Sequence, residues 1–238
     1  GIRELVRSRG LGDVYKRQVS DNARVHLGRK NVLKVDLHDF FPSIRSPRVR
    51  AAFREMGYSR SIAKVLAELC CLRCCLPQGA PTSPALSNII AYPMDKKMMA
   101  LAGEYGLVYT RYADDLTFSG DYLPKDEVLV RIHRIIREEG FTMNVKKTRF
   151  LSEHKRKIIT GVSVSSGKKM TLPKVKKREI RKNVHYVLTK GLVGHQEHIG
   201  STDPVYLKRL LGSLCYWHSI EPDNRYVSDS ITALKRLM

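Results

Sequence analysis

Hydrophobic and polar residues alternate along several short segments of this chain, a pattern typical of β-strands. These segments lie at 32–36, on both sides of the acidic pair 114–115, at 148–151 and at 158–164. Other segments place an apolar residue at every third or fourth position, which predicts helices over 61–72, 126–139, 184–188 and 207–217. Because strands and helices interleave in this irregular order, we predict an α+β fold built on an antiparallel sheet with packed helices.

Proline and glycine mark the ends of two more helices. Ser46 is predicted to be the N-cap of a helix with Pro47 at its first position, and Gly57 is predicted to end that helix, whereas Ser83-Pro84 predicts a second start. Proline removes a backbone donor and clashes with the preceding turn. The second helix is therefore expected to run toward Ala91 and to break or kink at Pro93.

Composition narrows the range of partners. The 238 residues suffice for a substantial core and at most two domains, and 42% of them are apolar, as in soluble globular proteins. The formal net charge of +20 favours a polyanion, most commonly nucleic acid. An acidic membrane surface is the competing partner, but no apolar run reaches transmembrane length and no secretory signal is visible. We predict a cytoplasmic protein without a membrane partner.

Four of the five cysteines form a cluster, Cys70, Cys71, Cys74 and Cys75. Zinc sites usually draw their ligands from two separated pairs, and the sequence has no second pair at matching spacing. Because the helical pattern of 61–72 runs into the cluster, its cysteines are predicted to be buried, reduced helix residues.

An adjacent pair of aspartates, Asp114-Asp115, lies between two predicted strands. A strand, a tight turn that carries acids and a returning strand would direct both carboxylates to one point beyond the sheet. Mg²⁺ suits such a point because it prefers oxygen ligands and usually binds one or two carboxylates together with substrate phosphates. For the pair taken alone, the alternative is a polar hairpin turn without chemistry.

Two further elements favour chemistry at this turn. Asp36 ends the predicted strand 32–36, and aspartates from two strands could hold two ions about 4 Å apart, as nucleotidyl transfer requires. The segment from Leu76 to Asn88 contains Gly79 and several prolines, so it forms a rigid loop and then opens a helix. The free N–H groups of that helix could hold a phosphate or a nucleotide.

These three elements resemble motifs A, B and C of reverse transcriptases: Val35-Asp-Leu-His-Asp-Phe-Phe41, Leu76-Pro-Gln-Gly-Ala-Pro-Thr-Ser-Pro84 and Tyr112-Ala-Asp-Asp115. Residues 140–148 are similar to motif D of the same family. Within the family the chain resembles bacterial retron reverse transcriptases, because Asn22-Ala-Arg-Val-His26 and Ile159-Thr-Gly161 match their Asn-Ala-x-x-His and Val-Thr-Gly signatures. The resemblance runs from about residue 20 to the C-terminus.

The resemblance implies a right-hand polymerase fold. A palm with a remnant of fingers would occupy 20–165, and a small basic helical thumb would occupy 166–238. Residues 1–19 stay unassigned, and the stretch from Gly12 to Gln18 resembles translated adaptor sequence. Since only 35 residues precede Asp36, the fingers are expected to be largely missing, through N-terminal truncation or an artefactual leader.

The resemblance also implies a role for each matching residue. Two Mg²⁺ ions, or Mn²⁺ as a substitute, would bind the catalytic acids Asp36, Asp114 and Asp115 and the Leu37 carbonyl. The incoming nucleotide would contact Asp39, Phe40, Phe41, Gln78, Gly79 and Lys147. Among these, Phe41 would exclude ribose, and Lys147, with Lys146 as the alternative, would meet the pyrophosphate. Nucleic acid would contact Asn22, His26, Lys174, Lys176, Lys177, Arg178, Arg181 and Lys182, although Asn22 and His26 have an architectural alternative.

The implied activity is RNA-directed DNA polymerisation from deoxynucleoside triphosphates on a structured noncoding RNA. A 2′-OH of that RNA would prime the DNA product, and the expected setting is anti-phage defence with an effector protein from the same locus. Three alternatives stay open: a group II intron or diversity-generating reverse transcriptase, an RNA-dependent RNA polymerase, and a catalytically impaired RNA-binding protein. The retron signatures argue against the first, Phe41 and Tyr-Ala-Asp-Asp against the second, and three intact acids against the third.

Overall fold

The computed structural model of the chain describes residues 19–238, and its strands and helices interleave as the pattern predicts. The strands are β1 (Asn31–Leu37), β2 (Val108–Tyr112), β3 (Asp115–Gly120), β4 (Met143–Leu151), β5 (Ile158–Ile159) and β6 (Val162–Ser163). The helices are α1 (Val19–Arg24), α2 (Phe40–Ser43), α3 (Ser46–Glu55), α4 (Arg60–Cys70), α5 (Ser83–Glu104), α6 (Lys125–Glu138), α7 (Lys174–His198, with a kink at Gly191), α8 (Tyr206–Ile220) and α9 (Arg225–Lys235). The larger sheet is antiparallel with strand order β2-β3-β1-β4, and β5 pairs with β6. The predicted α+β class is confirmed.

The central strand β1 serves two cores because its side chains alternate between the faces of the sheet. Leu33, Val35 and Leu37 belong to the main core, which also contains the buried faces of α5 and α6. Val32 points to the opposite face and belongs to a second core. Asp36 is therefore directed away from the main core, as the alternation predicts.

The second core joins α7, α8 and α9 to α1 and the small β5–β6 hairpin. Trp217 is fully buried in it, together with Ala23, Ile159 and Val162. Residues on both sides of position 165 thus share one core, and the division between palm and thumb at that position stays a prediction. Among the described residues, no helix combines the length and apolar character needed to cross a bilayer.

Two predicted helix ends need correction. The helix of Ser46-Pro47 begins at Ser46 itself, with Arg45 as its cap and no capping bond from a side chain. The helix that starts at Ser83 is not broken at Pro93 but continues to Glu104. Met94 and Met98, beyond the proline, are fully buried in the main core. Burial of such side chains at about 2 kcal/mol each offsets the roughly 3 kcal/mol cost of an interior proline.

The prediction of buried helical cysteines is wrong. Helix α4 ends at Cys70, and Leu72 and Cys75 exchange backbone hydrogen bonds across a two-residue turn. Both residues of that turn, Arg73 and Cys74, have positive φ angles, which lie outside the right-handed helical region. All five cysteines are free thiols and none is buried. Helix α4 buries only Ala63 and Ala67, so its apolar stripe is exposed, with Leu69 78% accessible.

His26 fixes the N-terminal end of the described chain to the larger sheet. Its side chain is fully buried, with Nδ1 2.6 Å from Ser119 Oγ on β3 and Nε2 2.7 Å from Thr110 Oγ1 on β2. Asn22, on α1, is buried as well. The prediction that these two side chains contact nucleic acid disagrees with their burial, and the architectural alternative agrees with it.

His26 should make the stability of the chain depend on pH. Burial, and to a smaller extent the charge of Arg29, lowers the pKa of His26 from 6.5 to about 4. Between these values the unfolded chain binds a proton that the folded chain does not bind. The free energy of unfolding should therefore fall by about 3 kcal/mol as the pH drops through this window. Urea unfolding at several pH values should show a smaller fall for His26→Gln, and an equal fall in both proteins would contradict the assignment.

Candidate metal and nucleotide site

Three acidic residues lie at the same end of the two central strands. Asp36 in β1 is directly opposite Asp115, the first residue of β3, in the antiparallel register. Asp114 lies in the two-residue turn between β2 and β3, and its carbonyl accepts a hydrogen bond of 2.9 Å from the Leu37 N–H. The register and this bond bring the strand-end acid and the hairpin acids to one edge of the sheet.

The electrostatics of this edge suit a cation. Burial raises the pKa of Asp114, and the nearby charges of Asp115 and Asp36 raise it further. Asp36 Oδ1 is buried without a well-directed hydrogen bond, although Lys147 Nζ lies 3.3 Å away. Crowded carboxylates and a buried oxygen without a good donor both favour a bound positive charge.

The donor set fits magnesium better than a softer metal. Carboxylates and backbone carbonyls are hard oxygen ligands, which Mg²⁺ prefers. Within residues 19–238 no group of three or more His, Cys, Asp or Glu side chains is arranged so that it could hold a metal ion. An ion here would complete its shell with water and substrate oxygens, which is the usual behaviour of Mg²⁺.

A bulge in β4 directs Lys147 to the acids. Lys34 of β1 is opposite Arg149, but Asp36 is opposite Asn144, so the register shifts and residues 145–148 of β4 are left without partners in β1. Bulges commonly redirect a side chain in this way. Lys147 Nζ lies 3.3 Å from Asp36 Oδ1 and 3.4 Å from Oδ2. This contact favours Lys147 over Lys146 as the lysine of the site.

The residues predicted to contact a nucleotide differ in accessibility. Gln78 and Gly79 are exposed on their loop, and Asp39 is exposed at the start of α2. Phe41 is half-buried, with its ring centroid 5.4 Å from that of Phe40. Phe40 itself is buried in the main core. The prediction that Phe40 contacts the nucleotide therefore needs correction, because its ring is buried in the core, where it packs against Phe41.

Two of the predicted nucleic-acid contacts also make contacts within the protein, although Arg181 is itself exposed. Lys177 pairs with Glu221 at 2.7 Å, and the Arg181 guanidinium lies over the rings of Trp217 and Tyr226. The remaining basic residues of this set are exposed on α7: Lys174, Lys176, Arg178 and Lys182. Lys176 forms an exposed ion pair with Glu179, which solvent screens.

The sequence did not reveal a basic groove between α7 and α8. Lys176, Lys208, Arg209 and Tyr216 line it together with small and apolar residues. Burial raises the pKa of Tyr216, and the charge of Tyr112, the last residue of β2, raises it further. The spacing of the basic residues on α8 was the available signal in the sequence. That spacing indicates a groove only once α7 is known to lie beside α8.

A second unpredicted feature is a buried ion pair next to the acidic turn. Arg111 on β2 and Asp95 on α5 approach to 2.6 Å, with 4% and 1% of their side chains exposed. Asp95 lies at helical spacing from Ala91 and Met98, on the apolar face of α5, and this position was the signal in the sequence, since such a residue needs a buried partner.

Comparisons with known proteins agree with these features. Residues 5–186 match the family model described as reverse transcriptase (RNA-dependent DNA polymerase). The chain is 38% identical over 191 residues to the Retron Ec86 reverse transcriptase of Escherichia coli, covering 79% of this chain and 59% of that protein. It is 36% identical over 232 residues to the Retron Mx65 reverse transcriptase of Myxococcus xanthus, covering 89% and 51%. The chain thus spans about half the length of the curated relatives it matches.

Among solved structures, a telomerase from Candida albicans in complex with a fragment of telomeric RNA aligns with 92% of this chain and 50% of its own. The TM-score is 0.44 and the sequence identity is 11%.

Removing the charge of Asp114 should stabilise the metal-free chain. Because burial and two neighbouring acids raise the pKa of Asp114, its ionised form costs free energy in the folded state at neutral pH. In EDTA at about pH 7, Asp114→Asn should raise the thermal midpoint by about 1–3 °C. This gain should shrink as the pH falls toward the ordinary pKa of 3.8, where both states become protonated.

Calorimetry with and without Mg²⁺ would check this prediction. Mg²⁺ should raise the midpoint of the wild-type chain and have little effect on Asp114→Asn. Asp126→Asn, which changes an aspartate 94% exposed on α6, is the matched control and should show no such gain. A gain for the control equal to that for Asp114→Asn would refute the electrostatic argument.

Proposed function

The chain belongs to the reverse transcriptase (RNA-dependent DNA polymerase) family, and on this premise we propose that it is an RNA-directed DNA polymerase of the retron type. One observation carries the proposal: Asp36, Asp114 and Asp115 share one sheet edge with Lys147. Acids contributed by two strands and a lysine contributed by a third form an arrangement suited to phosphoryl chemistry. The alternative, a polar hairpin turn without chemistry, would require neither Asp36 nor Lys147 beside the turn.

Each residue of the site would have a separate role in nucleotidyl transfer. Asp36, Asp114 and Asp115 would hold two Mg²⁺ ions, which supply charge stabilisation at the attacking hydroxyl and at the leaving phosphate. The Lys147 ammonium, beside Asp36, would meet the negative charge of the departing pyrophosphate. Phe41 rests on the buried Phe40 ring, so it can serve as a rigid barrier to a ribose 2′-OH.

The nucleic acid would lie along the groove between α7 and α8. Lys176, Lys208 and Arg209 offer phosphate contacts, which give salt-sensitive binding without sequence preference. The rings of Tyr216 and the nearby Tyr112 offer surfaces on which bases can stack. Because Tyr112 immediately precedes the acidic turn, a strand in this groove would lead to the carboxylates.

The finer parts of the proposal rest on the resemblance to retron enzymes. They are a structured noncoding RNA as template, a 2′-OH of that RNA as primer, an effector protein from the same locus and a role in anti-phage defence. The net charge of +20 supports the polyanionic template and is silent on the others.

Removal of one site carboxylate should abolish DNA synthesis but not RNA binding. Asp36→Asn and Asp114→Asn should each lower deoxynucleotide incorporation on a primed RNA template by about 100-fold or more, since several kcal/mol of charge stabilisation is lost. Asp126→Asn is the exposed control and should incorporate like the wild-type chain. Filter binding of the same RNA should be unchanged in all variants. Equal incorporation by wild type and Asp114→Asn would remove the catalytic assignment.

Phe41→Ala should relax the choice of sugar. The smaller side chain would leave room for a 2′-OH, so incorporation of ribonucleotides relative to deoxynucleotides should rise by about tenfold or more. Single-nucleotide incorporation with each sugar measures the ratio. Phe53→Ala, at a half-buried phenylalanine on α3, is the control for general loss of packing. An unchanged sugar ratio in Phe41→Ala would refute the barrier role.

A further inference from the structure

Arg111 is a charged residue whose side chain is buried beside the main core. Its Nε donates to Asp95 Oδ1 at 2.8 Å and its Nη2 to Asp95 Oδ2 at 2.6 Å, a bidentate pair between β2 and α5. Burial lowers the pKa of Arg111, but hydrogen bonds and charge from Asp95 outweigh this effect, so the guanidinium stays charged. The pair therefore keeps a full charge deep inside the protein.

The rest of the guanidinium contacts the other parts of the candidate site. Nη1 donates to Asn88 Oδ1 at 2.9 Å and to the Ala113 carbonyl at 3.1 Å. Its Cζ lies 5.7 Å from the centroid of the Phe40 ring. One planar group thus contacts the ring beneath Phe41, the helix that follows the Gln78-Gly79 loop and the acidic turn.

The bond to Ala113 acts on a strained position. Ala113 has a φ of 52°, in the left-handed region that costs a residue with a Cβ about 1–2 kcal/mol. Such conformations persist only where the surroundings fix them. Asp114 follows directly, so any relaxation of Ala113 would move its carboxylate.

Stability alone does not account for this network. Buried ion pairs contribute little net stability, because desolvation offsets the attraction, and apolar residues of similar volume are often as good. A guanidinium differs from them in offering fixed donors in one plane, which can hold several partners at set angles. The partners here belong to three separate segments of the chain.

We propose that Arg111 is a positioning residue, oriented by Asp95 and Asn88, which fixes the Ala113 turn so that the Asp114 carboxylate faces Asp36 in a geometry that binds divalent cations. The inference rests on the proposed function for its role in catalysis. The cation affinity it predicts can be measured without any polymerase assay.

The test uses three variants of the full chain. Arg111→Lys keeps a buried charge beside Asp95 but loses the planar set of donors. Asn88→Ala leaves the ion pair intact and removes one orienting acceptor. Tyr109→Phe is the matched control, because it removes the Tyr109 hydrogen bond of 2.7 Å to Asp95 and leaves the Arg111 bonds to Asn88 and to the Ala113 carbonyl in place. Thermal unfolding would establish that each variant folds and how much stability it loses.

Electron paramagnetic resonance of free Mn²⁺, titrated with each folded variant, gives the cation affinity. Asn88→Ala, and Arg111→Lys where it folds, should bind Mn²⁺ about tenfold more weakly than the wild type, as is usual when a group that orients a metal ligand is lost. Tyr109→Phe should bind Mn²⁺ like the wild type even though its thermal midpoint falls. The Mg²⁺ concentration for half-maximal incorporation should rise in the same order.

Several outcomes would overturn the proposal. These are an Asn88→Ala variant that binds Mn²⁺ as tightly as the wild type, a Tyr109→Phe variant that weakens binding equally, and a wild-type chain that binds no Mn²⁺ at millimolar concentration. If the wild-type chain binds Mn²⁺ but incorporates no deoxynucleotide, the proposed function fails. The comparison of affinities still decides the positioning role.

Discussion

Repulsion between carboxylates at one edge of a sheet is the constraint on which the rest of this structure depends. Asp36 and Asp115 are opposite each other on neighbouring strands, and Asp114 lies beside them in a turn. Like charges at such positions destabilise a hairpin. The fold holds them by antiparallel pairing over six residue pairs, from Asn31 with Gly120 to Asp36 with Asp115. The apolar face of the same strands lies in the main core, so the sheet cannot slip to separate the acids without exposing that core.

Side-chain contacts from the segment that follows α1 and from β4 strengthen this arrangement. His26 bonds to both strands of the hairpin that carries the acids, through Thr110 and Ser119. Lys147 approaches from the other neighbour of β1 and offsets part of the negative charge on Asp36. These contacts join segments more than 80 residues apart in sequence, so they form only when the complete sheet is assembled.

The local periodicity of apolar residues predicted an element and its packing correctly where the apolar face of that element is also its buried face. Helix α6 is such a case, because Val128, Ile132 and Ile136 repeat at helical spacing and lie in the core. Helix α4 shows the opposite case. Its apolar stripe correctly predicted a helix, but the helix packs against the core with its alanines and leaves the stripe exposed. The acids were found because a strand end and a tight turn leave clear local signals. The bulge at Lys147 and the partner of Arg111 could not be found from the sequence, because both depend on which strands and helices become neighbours in the fold.

The positive charge of the chain and its acidic edge act on a polyanion in opposite directions. The excess of basic residues attracts phosphates at long range, whereas three carboxylates repel them at short range. The basic residues would therefore attract a nucleic acid held in the α7–α8 groove, whereas the carboxylates at the acidic edge would repel its phosphates. A divalent cation reverses the sign of that edge, so phosphate contact becomes favourable only where the cation is bound. The repulsion between the carboxylates that destabilises the folded chain would therefore also restrict phosphoryl chemistry to a single place on a broadly basic surface.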